Sequence, residues 1–98
     1  MQETAEENVE FIEIFKYSEV EDPIKYFEFD DETGHLFIAT EFKSSILVFE
    51  RIGEPEIFKK AQILEFHKSE ISGLTLSRKQ KILFSSSIDG QVIQLNYG

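Results

Sequence analysis

The chain has 98 residues, 41% of them hydrophobic and 13% aromatic, with ten phenylalanines, which allows one small domain with a marginal core and rules out a disordered composition. Ten Lys and Arg against nineteen Asp and Glu give a net charge of -9, which repels phosphate backbones and anionic lipid surfaces and removes nucleic acid as an expected partner. There is no cysteine, no apolar run long enough to span a bilayer, and an acidic Met1–Glu7 unlike a targeting peptide, so the expectation is a soluble cytoplasmic chain without disulfides, membrane insertion or a thiolate metal site.

In chain order, residues 1–8 are polar and acidic without a period and read as a flexible acidic arm. Residues 9–17 follow as an extra strand: Val9, Phe11, Ile12, Ile14 and Phe15 are β-branched or aromatic, although the same residues also fit a short amphipathic helix. Pro23 closes this segment, because the residue before a proline is pushed out of the helical region. Short strands then follow at Ile24–Phe29, His35–Thr40 and Ser45–Glu50, with Asp30–Gly34 as a solvated turn and Gly53–Pro55 as punctuation. Ile57–Phe66 reads as an outer strand, with a helix around Lys59–Leu64 as the less favoured alternative. Ile71–Ser77, Ile82–Ser87 and Gln91–Tyr97 complete the series, joined at Arg78–Lys81 and Ile88–Gly90. The fold class is all-β.

The strands repeat. A shift of 47 residues lays Ile24 on Ile71 and Leu36-Phe37 on Leu83-Phe84, and a shift of 46 lays Ile46–Glu50 on Val92–Asn96, so the last turn of the unit differs by one residue. The second unit has His67 before a strand, then Ile71-Ser-Gly-Leu-Thr-Leu-Ser77, then Ile82-Leu-Phe-Ser-Ser-Ser-Ile-Asp-Gly-Gln-Val-Ile-Gln-Leu-Asn96. This resembles a WD40 repeat, from the loop histidine through the Ser-rich strand and the Asp-Gly turn to the third strand. Leu95 stands where the family usually has Trp, and Asn96 where it has Asp. The first unit is more degenerate, with Phe49-Glu50 at the Trp-Asp position, Lys43 at the turn Asp and no loop histidine.

The resemblance implies a fragment of a WD40-like β-propeller of about two four-stranded blades, the first over 24–66 and the second, incomplete, over 67–98. Propellers have about four to eight blades, so two cannot close a ring. Completion is expected from a companion chain supplying further blades, from a longer parent protein, or from self-assembly. The second unit with its outer strand looks most like the late blades of axonemal WD-repeat proteins, which implies a cytoskeletal or ciliary location. The implied role is that of a non-catalytic scaffold binding other proteins, without a cofactor.

The resemblance also implies a structural hydrogen-bond network of His67, Ser85, Ser87 and Asp89. The competing chemical reading is a small hydrolase built on His67, Ser87 and Asp89, since nucleophile, base and orienting acid are all present; no glycine-flanked nucleophile elbow surrounds these serines. A small closed β-barrel binding module is a third reading, against which the repeat argues. Asp30–Gly34 fails as a calcium loop, because counting back from Gly34 puts Phe29 where the first carboxylate belongs. Two histidines without cysteine make no zinc site. The arm's acids are expected to solubilise, with docking on a basic surface as the alternative. The candidates for partner contact are Val9, Phe11, Phe15, Val92 and Leu95, the last two on the outermost strand, where an unprotected edge templates pairing with another chain.

Overall fold

The computed structural model describes residues 22–52 and 57–98. It is all-β: β1 (Ile24–Asp30), β2 (His35–Thr40), β3 (Ile46–Ile52), β4 (Ile57–Leu64), β5 (Ile71–Ser77), β6 (Ile82–Ser87) and β7 (Val92–Asn96). β1 to β4 form one antiparallel sheet in sequence order, and β5 to β7 form a second. The helix weighed for Lys59–Leu64 is not formed, since β4 runs through it, and the two sheets remain separate and do not join into a closed barrel among the described residues. The acidic arm at 1–8, the strand expected at 9–17, with Val9, Phe11 and Phe15, and the break at 53–55 lie outside the described residues.

The internal repeat extends to backbone pairing. Ile24 opposes Thr40 in the first sheet and Ile71 opposes Ser87 in the second, each 47 residues on. Both ladders slip directly after that pair, between Ile24 and Tyr26 and between Ile71 and Gly73, and both end one turn later, at Asp30 opposite His35 and Ser77 opposite Ile82. The turns share a left-handed position, Gly34 at φ 81° and Lys81 at φ 60°. Glycine takes that conformation freely, whereas at Lys81 the side chain costs about 1–2 kcal/mol, so local preference alone does not choose lysine there.

The sheets stack front to back. Phe37, Ala39, Ile46, Val48 and Leu64 of the first sheet share one core with Ile71, Leu74 and Leu83 of the second. The opposite face of the first sheet holds a second core, in which Leu36, Ile38 and Phe49 are fully buried beside Ile24, Phe29, Leu47 and Phe58. Leu36 is the repeat equivalent of Leu83, so the face the second sheet turns toward the first corresponds to the face the first sheet turns away. Phe29 and Phe58 meet edge to face there, with centroids 5.7 Å apart.

Candidate functional site

Asp30 ends β1 and is 1% exposed, so of the turn expected to be solvated at Asp30–Gly34 the tip, Asp31 and Glu32, is exposed, whereas its ends, Asp30 and Gly34, are buried. Its side chain does two jobs. Oδ1 accepts the backbone N–H of Glu32 at 2.9 Å and of Thr33 at 3.4 Å, closing the β1–β2 turn, while Oδ2 accepts Tyr97 Oη at 2.6 Å and Lys81 Nζ at 3.1 Å from the second sheet. Burial pushes the Asp30 carboxyl up, but the hydrogen bonds from Tyr97, Lys81 and the two amides outweigh it and hold it at about 2. Burial, and then the bond to Asp30, hold the Tyr97 hydroxyl above its ordinary value. Lys81 also pairs with Glu32, and that hydrogen bond is the main reason its ammonium is held above its ordinary value.

Beside this node the Arg78 guanidinium donates twice to the Phe29 carbonyl, at 3.1 and 2.8 Å, and lies 3.7 Å from Glu28. Glu70 ties the other end of the intersheet seam. Its carboxylate accepts the Phe42 N–H at 3.2 Å and Lys25 Nζ at 3.1 Å, which together hold its pKa low, and its carbonyl accepts the Ile88 N–H at 2.9 Å. Polar ties thus flank the shared apolar core at both ends, and they fix one sheet relative to the other where apolar packing alone is non-directional.

The four residues expected to form one network stand as two separate hydrogen-bonded pairs. His67 Nε2 and Ser85 Oγ are 2.8 Å apart and both residues are 5% exposed. Ser87 donates to Asp89, whose carboxylate also accepts the Gln91 N–H at 3.2 Å; the Ser87 bond is the largest cause of the lowered Asp89 pKa. No bond joins the pairs through the histidine, because His67 Nδ1 is buried without a hydrogen-bond partner. A hydrolytic triad needs the acid on one imidazole nitrogen and the nucleophile on the other. Here the candidate nucleophile Ser87 is bonded to the acid, and the serine that meets His67 is buried Ser85. The hydrolytic relay His67, Ser87, Asp89 is therefore not assembled.

The partner-contact candidates on β7 differ from each other. Val92 is 69% exposed, whereas Leu95 is half-buried against the shared core. β7 is one of the two edge strands of its sheet, paired only with β6 among the described residues. Phe42, 81% exposed at φ 66°, and Ile88, 66% exposed, lie in the turns that Glu70 bridges. Sequence reasoning missed the Asp30, Lys81 and Tyr97 node. Its members belong to different units of the repeat, so alignment of the units could not place them together.

No group of three or more His, Cys, Asp or Glu side chains suited to a metal occurs among the described residues, and no helix there is long and apolar enough to cross a membrane. Comparison with family models, curated proteins and solved structures gives no match to the chain.

Proposed function

We propose that the chain is a non-catalytic protein-interaction module: two successive blade-like units of a WD40-type β-propeller, the second completed by a protein partner. The repeated pairing registers, the shared slip after the first pair and the front-to-back stacking support two copies of one structural unit. Units of this type bury their faces on their neighbours and so act as scaffolds for other chains.

The observation that carries the reading is the difference between the sheets. Among the described residues the first has four strands and the second three, so that β7 lies at an edge there where the first sheet continues with β4. An open edge of this kind takes an extended segment from a partner by strand addition. A cytoplasmic setting, on the cytoskeleton or in a cilium, is the companion proposal and rests on the axonemal resemblance alone.

The test compares the chain with a Val92→Lys, Asn96→Lys variant whose edge is charged, using cross-linking to bound proteins with the sites identified by mass spectrometry. The reading expects cross-links concentrated at β7 and lost in the variant, while β2 amide protection stays unchanged. Ester hydrolysis by the purified chain that disappears in Ser87→Ala would replace this reading with the hydrolase.

A further inference from the structure

The described sheets have four edge strands, β1, β4, β5 and β7, and they are protected unequally: β1 carries Lys25 and Glu28, and β5, though uncharged, is bulged between Ile71 and Gly73. β4 carries Lys59 and Lys60, the residue type that keeps natural sheet edges from pairing with other chains. β7 reads Val-Ile-Gln-Leu-Asn and has no charge, no proline and no bulge against its neighbour. In a chain of net charge -9, it is an uncharged edge.

The ladder to β6 fixes which backbone groups on that edge point away from β6. Tyr97 N–H donates to the Lys81 carbonyl and Ser87 N–H to the Gln91 carbonyl, both at 3.0 Å. Hydrogen-bonded pairs alternate in an antiparallel ladder, so Gln91, Ile93, Leu95 and Tyr97 turn their backbone groups toward β6. Val92, Gln94 and Asn96 turn theirs outward, and no strand meets them among the described residues.

We propose that β7 pairs antiparallel with β7 of a second copy, about a two-fold axis through Gln94. The proposal rests on the reading of the chain as an interaction module and names its partner. The register follows from the outward groups: Gln94 lies opposite Gln94 of the second copy, and Val92 lies opposite Asn96 of the second copy, all in hydrogen-bonding positions. Ile93 then lies opposite Leu95 of the second copy, on the face that covers the apolar core. Each central Gln side chain offers both a donor and an acceptor to its twin. No like charges meet along the strand, which lets a strongly acidic chain approach itself here.

Stacking of copies sheet on sheet, in continuation of the front-to-back repeat, is a poorer route. It would use the far face of the first sheet, where Leu36, Ile38 and Phe49 are already fully buried. Edge pairing is isologous and closes at two copies, joining two three-stranded sheets into one of six strands.

The test uses the mass of the full-length chain in solution, by sedimentation from micromolar to millimolar concentration, with Gln94→Lys and Gln94→Glu as variants. Because Gln94 faces its own copy, each variant alone puts like charges opposite each other, and an equimolar mixture puts opposite charges there. The wild-type chain is expected at about twice 11.4 kDa, each variant alone at the single-chain mass, and the mixture at the double mass again. Unchanged β2 amide protection shows that the variants are folded. A wild-type chain that stays single throughout overturns the proposal, as does a dimer that both variants form equally well. A single chain whose β7 cross-links to a different protein also overturns it, and leaves the interaction reading standing.

Discussion

Tyr97 Oη donates to Asp30 Oδ2 at 2.6 Å across 67 residues of sequence, joining the end of the first strand to the residue just past the last. The acceptor is buried and also holds Lys81 Nζ at 3.1 Å, so each donor satisfies part of a carboxylate that water does not reach. Phe37 and His35 pack edge to face against the same tyrosine ring, at 5.1 and 5.4 Å. The ring therefore serves both the apolar core and the polar seam.

Removing the hydroxyl with Tyr97→Phe is expected to lower stability by about 1.5–3 kcal/mol, the range for a hydrogen bond to a charged group. Asp30→Ala is expected to cost more, because it also removes one of the two carboxylates that hold Lys81 and frees the turn amides of Glu32 and Thr33. Denaturant melts of both single variants and the double should show strong non-additivity. Simple addition of the two effects would mean that the bond does not contribute to stability.

The Asp30 carboxyl, held at about 2 against an ordinary 3.8 by bonds that outweigh its burial, gives the chain an acid-sensitive seam. For an acid whose folded pKa is depressed, the stabilisation is fully present above the unfolded value and is lost as pH falls through the folded one. Stability should therefore drop between about pH 4 and pH 2 by more in the wild type than in Asp30→Asn, which cannot titrate. Thermal melts across that range check it, and parallel curves would contradict it.

The two pairs found for His67, Ser85, Ser87 and Asp89 predict an uneven set of couplings. A double-mutant cycle on His67→Ala and Ser85→Ala should give a coupling of about 0.5–1.5 kcal/mol, from their direct bond. The cycle on His67→Ala and Asp89→Ala should give clearly less. Equal couplings would indicate one continuous network instead.

Phe42 holds a positive φ of 66° while its side chain is 81% exposed, so its bulk is strained without compensating burial. Phe42→Gly is expected to raise stability, by up to about 1 kcal/mol once the added chain entropy of glycine is set against the relieved strain. A loss of stability in denaturant melts would mean that the ring makes a contact that matters.

Much of the fold was legible because it is periodic. Alternation and turn residues gave β2, β5 and β6 their observed limits, and the 47-residue shift that aligned Leu36 with Leu83 also aligned the ladder slips. The ends of β3 and β7 were less clear. Ser45 reads as strand by composition but precedes β3, and Gln91 precedes β7 because its carbonyl closes the Ser87 turn. The His67 and Ser85 contact is an expectation of the WD40 resemblance and not of the internal repeat, whose first unit has no loop histidine. The burial of Asp30 could not be expected, since Asp30-Asp-Glu-Thr-Gly34 has the composition of a solvated turn, and only the stacking of the second sheet brings Tyr97 and Lys81 onto it.

Residue-resolved amide exchange on β7 tests the central claim most directly. Val92, Gln94 and Asn96 point their N–H groups outward, whereas Ile93 and Leu95 donate to β6. In dilute chain the first three should exchange fast and the other two slowly. Under binding conditions, with protein in excess or the chain concentrated, the first three should become protected while the amides of β2 are unchanged. Val92, Gln94 and Asn96 exchanging at free rates in the bound state, with new protection appearing elsewhere, would contradict β7 as the docking edge.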